Sequence, residues 1–256
     1  MSRETRERSQ SGVYHVMVRG INQQDIFYDE EDYLRYLETV HRVKKEKELE
    51  IYGYCLMSNH VHLLIKEGEE GLSLAMKCIG TGYARWYNWK YHRVGHVFQG
   101  RYKSECVEDD AYLLTVIRYI HNNPVKANLI KKSEEWRWNS CRSYYGMLEY
   151  PTGLSDTAFI LGTFSNDKDT AISLFKEYMQ ESDNAVCLDI NESKRKTDNE
   201  VLREIMKIID GNADSIHNMS KPERDKIIRA AKAIEGATHR QIARILGISP
   251  SVVFKV

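Results

Sequence analysis

The chain lacks the cysteine pattern of a zinc site or of a disulfide framework. Its five cysteines are scattered and no two have Cys-x-x-Cys spacing, which is typical of reduced thiols. It also lacks an apolar run long enough to cross a membrane, and its N-terminus is charged rather than signal-like. An excess of positive charge is missing too, because Lys plus Arg and Asp plus Glu each number 37. These absences predict a cytoplasmic protein with no membrane partner, whose affinity for nucleic acid must come from local patches.

Two histidines that flank a single apolar residue are the most informative feature present. His60-Val61-His62 leads into an apolar stretch with polar flanks, which predicts a strand through a core. Side chains alternate between the faces of a strand, so both imidazoles should lie on one face and Val61 on the other. Two neutral imidazoles on one rigid face make half of a divalent-metal site. The alternative is a half-buried strand that carries histidines without a metal.

A helix with a tyrosine and an asparagine one turn apart is predicted downstream. Apolar residues recur at helical spacing after an aspartate pair that suits the N-cap, and Pro124 is predicted to end the helix. Tyr119 and Asn123 are four residues apart and therefore neighbours on one face. A phenol and an amide carbonyl in this arrangement suit a nucleophile and a third metal ligand. The alternative is that Tyr119 flanks the core and Asn123 caps the helix.

Together the two segments resemble the single-tyrosine HUH transposases, specifically the branch associated with repetitive extragenic palindromes (REP). The resemblance covers residues 12–146, and its motifs follow in the family's order. It implies a ferredoxin-like fold, in which a central antiparallel sheet carries the histidine pair and the tyrosine helix faces it. The matching segments are His60–His62 and Arg118–Ala127, supported by Tyr14–Gly20, Gly95–Ser104, Trp136–Ser140 and Tyr144.

The hydrophobic pattern gives the same order of elements independently. It predicts an α+β layer of β-α-β-β-α-β-α order, with helices packed on one face of the sheet. The predicted strands are 12–19, 50–57, 59–66 and 96–107, and the predicted helices before the tyrosine helix are 29–47 and 71–91.

Three regions are expected along the chain. Residues 1–150 form the catalytic domain, and 151–199 connect it, with a polar run at 191–199, to a small all-α region at 200–256. In that last region helices are predicted at 200–218 and 221–235. Thr238–Phe254 resembles a DNA-binding helix-turn-helix in which Gly247 supplies the turn. The alternative is an ordinary helical hairpin.

One local patch suits single-stranded nucleic acid. Between Tyr83 and Lys103 there are five Lys or Arg and no acidic residue, interleaved with aromatic rings. Cations that follow a phosphate backbone, mixed with rings on which bases stack, are what such binding requires. The alternative is that about half of the rings belong to the core. The predicted DNA-binding set comprises Arg85, Lys90, Arg93, Arg101, Lys103, Trp86 and Tyr87, with Arg19 added from a strand end, where a surface salt bridge is the alternative.

The resemblance also implies a reaction. His60, His62 and Asn123 would hold Mg²⁺ or Mn²⁺, and Tyr119 would attack single-stranded DNA at a hairpin or palindrome, giving a phosphotyrosine and a free 3′-hydroxyl. A free phenol has a pKa of about 10, so nearby positive charge must assist it, with Arg118 or His121 as candidates. The alternatives are a phosphodiesterase that uses water and a domesticated or non-catalytic DNA-binding regulator. The sequence leaves monomer and homodimer open and favours a place at the nucleoid.

Overall fold

The computed structural model describes residues 7–181, 187–188, 198–209, 219–234 and 237–256. These residues form two compact units, divided between residues 189 and 190. Residues 191–197 of the predicted linker and 210–218 of a predicted helix lie outside the described residues. Among the helices that are described, none is both long and apolar enough to cross a bilayer.

A four-stranded antiparallel sheet forms the centre of the first unit. Its spatial order is β2-β3-β1-β4, so the two central strands are β3 and β1. With a helix after β1 and another after β3, this is the ferredoxin-like arrangement expected from the sequence. The strands are β1 (Val13–Arg19), β2 (Glu50–Leu56), β3 (His60–Lys66) and β4 (Lys103–Cys106).

The fourth strand is shorter than its apolar pattern predicted. Residues 96–102 were expected in the strand, but only an isolated bridge from Gly20 to Phe98 precedes β4. Gly95 and Gly100 have φ values of 102° and 67°, which glycine adopts readily because it lacks a side chain. Such positive φ values interrupt an extended strand. Residues 95–102 are therefore a loop that lines a groove against the second helix.

Two helices cover one face of the sheet. The first, α1 (Glu30–Glu46), begins at a capping box in which Asp29 and Asp32 each accept from the other's backbone N–H. The second, α2 (Leu72–Lys90), packs beside α1, and both bury apolar side chains against Val16, Val61 and Leu63. The expected placement of helices on one face holds for this pair.

A third helix, α3 (Asp110–Lys126), covers the opposite face. Asp109 caps its start by accepting from the backbone N–H of Tyr112 at 2.7 Å. Its apolar stripe packs on β2 and β3, where Gly53 leaves the room that Ile117 occupies. The predicted end at Pro124 is wrong by about one turn. Proline removes one backbone donor, and the helix continues until the N–H of Ala127 bonds to the carbonyl of Asn123 at 3.0 Å.

Residues 151–181, which the sequence assigned to a connecting region, belong to the first compact unit. The ring of Phe175 lies 4.7 Å from that of Tyr144 and 6.1 Å from that of His121, on the side of α3 away from the sheet. Arg118 bonds to Glu181 at 3.0 Å. The boundary expected at residue 150 is therefore corrected to about 189, and α3 lies in a middle layer. The covering helices are α4 (Cys141–Tyr144), α5 (Thr157–Gly162) and α6 (Lys168–Gln180).

The second unit is a small helical domain, as expected. Its core is made of aliphatic residues such as Ile205, Ile228 and Leu246. Gly247 has a φ of 63° between the last two helices, in agreement with its predicted place in the turn. The helix-turn-helix assignment of this pair and its role in DNA binding both stay predictions. The helices are α7 (Asp198–Ile209), α8 (Lys221–Lys232), α9 (His239–Ile245) and α10 (Pro250–Lys255).

Candidate active site

The two predicted histidines lie on the face of the sheet that α3 covers. The period of β3 puts His60 and His62 on one side, and their ring centroids are 5.2 Å apart. His62 is completely buried, whereas His60 is half-buried near the start of the strand. Both histidines of the pair thus lie on β3, one of the two central strands of the sheet.

A third histidine completes this cluster and was missed as a site residue by the sequence analysis. His15 on β1 is also completely buried, and its Nε2 lies 3.0 Å from Nδ1 of His62. The pairing register of β1 and β3 brings the two together, with Met17 opposite His62 and His15 opposite Leu64. A lone histidine on an apolar strand gives no signal by itself. Only that register reveals the cluster.

The histidines fit the requirements of a metal site. Ligation requires neutral imidazoles, each with a lone pair directed into the site. The amide oxygen of Asn59 accepts from Nδ1 of His60 at 2.6 Å, which leaves the lone pair of His60 on Nε2. Burial, reinforced by His15 and His60, keeps the pKa of His62 well below its usual value, so this ring is neutral at pH 7. Its Nε2 is buried and has no hydrogen-bond partner within the part of the chain that the structure describes.

The remaining ligands would have to be neutral protein oxygens, water or substrate. No group of three or more His, Cys, Asp or Glu side chains is arranged to hold a metal ion among the described residues. Asn123 is half-buried on α3, one turn after Tyr119, and its amide oxygen stays the predicted third ligand. A bound divalent ion would polarise a phosphoryl group and stabilise the charge that develops on it.

Tyr119 faces the histidines across the interface between α3 and the sheet. Its ring centroid lies 5.6 Å from that of His62 and 5.8 Å from that of His15. Only 4% of Tyr119 is exposed, so a substrate must reach it through an opening at the edge of the helix.

Tyr112, two turns earlier on the same helix, is engaged elsewhere. Burial and a hydrogen bond with Glu105 raise the pKa of Tyr112 far above the ordinary value of a phenol. A phenol that is held protonated beside a carboxylate is a poor nucleophile at neutral pH. The geometry therefore favours Tyr119 over Tyr112.

The positive charge beside Tyr119 comes from Lys126. Its Nζ lies 4.5 Å from the centroid of the Tyr119 ring. Neither cation considered in the sequence analysis has this place. Arg118 pairs with Glu181 and lies 4.2 Å from the centroid of the Tyr178 ring, and burial lowers the pKa of His121 to about 3, so His121 is neutral. Lys126 follows Tyr119 by two helical turns. The sequence analysis ended the helix at Pro124 and so did not place Lys126 on the helix that carries Tyr119.

Comparison with known families identifies this part of the chain. Residues 9–123 match the family model described as IS200-like transposase. Residues 9–123 are therefore similar to IS200-like transposases, and we call them the IS200-like domain. That IS200-like domain includes β1, β3 and the part of α3 up to Asn123, and therefore contains both sides of the candidate site. Domains of this family belong to DNA-processing enzymes. No curated protein matches the chain.

Solved structures similar to the IS200-like domain include two transposases. One is a REP-associated tyrosine transposase bound to a REP hairpin, which is 19% identical with a TM-score of 0.49 and covers 57% of this chain and 86% of its own. The other is a candidate transposase from Deinococcus radiodurans R1, also 19% identical, with a TM-score of 0.33, covering 47% of this chain and 97% of its own.

A basic cavity of about 690 Å³ adjoins the IS200-like domain's tyrosine. Tyr119 lines it together with residues from the end of α3, the segment 131–134 and α6. Its four lysines form no ion pair with a carboxylate among the described residues, although Glu134 and Glu181 also line the cavity. We call these four residues the lysine cavity: Lys126, Lys131, Lys132 and Lys176.

The predicted DNA-binding residues around α2 divide into two groups. The assignment of Lys90 to DNA binding is corrected, because its Nζ lies within 2.9 Å of carboxylates of Asp29, Glu31 and Asp32 and its charge is already neutralised. The assignment of Tyr87 to DNA binding is corrected too, since its ring is completely buried in the core. Arg93 is half-buried and bonds to the Tyr87 hydroxyl at 3.1 Å.

The other members have positions that a nucleic acid can reach. Arg85, Arg101 and Lys103 are exposed and form no ion pair with a described carboxylate. Trp86 and Arg19 are half-buried, and Arg19 lies opposite His60 across the β1–β3 pairing. The sequence set did not include Trp89, which is 74% exposed and is the most accessible ring of this segment.

Proposed function

We propose that the IS200-like domain cleaves and rejoins single-stranded DNA through a covalent phosphotyrosine at Tyr119, with Mg²⁺ or Mn²⁺ as cofactor. The observation that carries this proposal is the contact between the Tyr119 ring and two buried histidines, at centroid distances of 5.6 and 5.8 Å. A tyrosine beside two buried imidazoles, of which His62 is neutral and has an Nε2 without a hydrogen-bond partner among the described residues, suits phosphoryl transfer better than a structural role.

The chemistry follows from these positions. The oxygen of Tyr119 attacks phosphorus and its proton passes to solvent. The bond from phosphorus to the 3′-oxygen breaks, and the departing 3′-oxygen takes up a proton from solvent. The products are a DNA 5′-end joined to Tyr119 and a free 3′-hydroxyl. Lys126 stabilises the negative charge that develops on the phenol oxygen during attack. Because the phosphodiester energy is retained in the covalent bond, a 3′-hydroxyl reverses the step without ATP.

The substrate approaches through two basic regions. The lysine cavity opens beside Tyr119 and suits the phosphates next to the scissile bond. Arg85, Arg101 and Lys103, with the exposed ring of Trp89, suit a more distant part of the strand. The resemblance of motifs to the REP-associated branch suggests a hairpin or palindrome as the recognised element. A chromosomal DNA substrate would place the protein at the nucleoid, and the pair α9–α10 is a second candidate DNA contact.

The decisive experiment uses an end-labelled single-stranded hairpin DNA with and without Mn²⁺. We expect a denaturation-resistant adduct with wild-type protein and with Tyr112→Phe, but none with Tyr119→Phe, which keeps the packing and removes the attacking oxygen. The double variant His60→Ala, His62→Ala should still bind DNA and form no adduct.

Other outcomes identify the alternatives. Cleavage without an adduct would show that water is the nucleophile, as in a phosphodiesterase. DNA binding without cleavage under any metal would favour a regulator.

A further inference from the structure

The contact between His15 and His62 contains one shared hydrogen, and its location determines whether His62 can bind a metal. If Nδ1 of His62 donates across the 3.0 Å separation, the lone pair of its neutral ring is on Nε2. If Nε2 of His15 donates instead, Nε2 of His62 must carry the hydrogen. That N–H would then be buried without an acceptor among the described residues and would be closed to a metal ion.

Glu105 on β4 selects between these arrangements. Its carboxylate lies 3.8 Å from Nδ1 of His15, longer than a hydrogen bond but close enough for a strong electrostatic preference. The nearness of His15 is the largest cause of a lowered pKa of Glu105, which is therefore an anion at neutral pH. An anion attracts an N–H and repels a nitrogen lone pair, so the hydrogen of His15 belongs on Nδ1.

The carboxylate is itself held in place. It accepts from the backbone N–H of Leu188 at 3.0 Å and also bonds to Tyr112, so it is supported from the chain after α6 and from α3. In a neutral His15 ring that carries its hydrogen on Nδ1, Nε2 can only accept, and His62 must donate from Nδ1. The two steps together direct the Nε2 lone pair of His62 into the candidate metal site.

We propose that Glu105 and His15 are positioning residues that fix the tautomer and orientation of His62 for metal binding. This inference rests on the proposed function for the identity of the site. Neither residue touches the metal or the DNA in this role, and the order Glu105–His15–His62 extends by one ring the carboxylate–histidine pairs that orient metal ligands generally.

The first test needs no metal. Nitrogen-15 NMR of the metal-free protein reports which ring nitrogen of each histidine carries hydrogen. We expect His62 and His15 both to be protonated on Nδ1. A spectrum in which His62 is protonated on Nε2 would overturn the proposal, whatever the protein does to DNA.

The second test measures Mn²⁺ affinity by electron paramagnetic resonance on free full-length protein. Loss of an outer partner typically weakens metal binding about 10- to 100-fold, and we expect a loss in this range for His15→Leu. His15→Gln keeps an oxygen able to accept from Nδ1 of His62 and should recover part of the affinity. Glu105→Gln, which removes the charge only, should show a smaller loss.

Met17→Leu is the matched control, because Met17 is buried directly opposite His62 and the change conserves volume without altering any hydrogen bond. Its Mn²⁺ affinity should equal that of wild type. Equal affinities for wild type and a folded His15→Leu would overturn the proposal. If wild-type protein bound no Mn²⁺ at all, the proposed metal site would fail instead, and the NMR measurement would still decide the tautomer.

Discussion

Replacement of Lys126 by methionine tests the electrostatic part of the proposed reaction. The change keeps the length and apolar stem of the side chain and removes the charge whose Nζ lies 4.5 Å from the Tyr119 ring centroid. Negative charge develops on the phenol oxygen during attack, so the variant should cleave more slowly while its fold is unchanged. Lys126 is exposed, and its loss leaves no buried carboxylate unpaired.

The size of the effect follows from the distance and the exposure. A unit charge about 5 Å from the phenol oxygen contributes about 3 kcal/mol at an effective dielectric constant of about 20, and about 0.8 kcal/mol in bulk water. Because Lys126 is exposed, the value near that of water applies, and we take about 1 kcal/mol. That free energy corresponds to a rate about fivefold lower.

Single-turnover cleavage at saturating DNA measures this rate apart from DNA affinity. Lys176→Met is the matched control, because Lys176 lines the same cavity but lies over the ring of Tyr145, at 5.0 Å. Both variants should bind DNA more weakly, and only Lys126→Met should be slower once DNA is saturating. Equal saturated rates for Lys126→Met and wild type would refute the role assigned to Lys126.

Two further predictions concern stability and domain limits. A protein that ends at residue 189 should unfold cooperatively in urea and retain DNA cleavage. A protein that ends at residue 150 should lose both properties, because it lacks the Phe175 side chain that covers α3. Activity of the shorter protein would contradict the corrected boundary. Burial lowers the pKa of His121 to about 3 from an unfolded value of about 6.5, so the unfolded chain binds the extra proton between these values. Stability should therefore be complete above about pH 6.5 and fall on acidification, by up to about 1.4 kcal/mol per pH unit from this residue. Urea unfolding should show a weaker pH dependence in His121→Gln, and an unchanged dependence would contradict the assignment.

Local patterns were sufficient to predict the sheet and the helices that cover it. Alternation in His60–His62 and helical spacing before Tyr119 are set by neighbouring residues, so both were readable from the sequence. The histidine and tyrosine motifs were read in the correct elements for the same reason. The roles given to them stay proposals that the experiments above address.

Features that depend on distant partners were not readable. Lys90 was assigned to DNA because no acidic residue lies near it in sequence, yet its carboxylate partners come from the start of α1, about 60 residues away. His15 joins the site only through the register of β1 with β3. Residues 157–180 were assigned to a connecting region because the local sequence does not show what covers their apolar face. That face, which includes Phe175, packs against α3. The positive φ values of Gly95 and Gly100 likewise made β4 shorter than its apolar pattern predicted.

In the proposed strand exchange, the middle-layer position of α3 determines whether the tyrosine or the free DNA end moves. The helix is packed against the sheet on one side and against α6 on the other, and Arg118 ties it to Glu181. A tyrosine on such a helix cannot swing out with its attached DNA without opening two packed interfaces. We therefore expect the covalent end to stay fixed while the free 3′-end leaves and a new one arrives. The folding and path of the DNA would then determine which 3′-end is joined to the covalently bound 5′-end. The protein itself would hold that 5′-end in a fixed position.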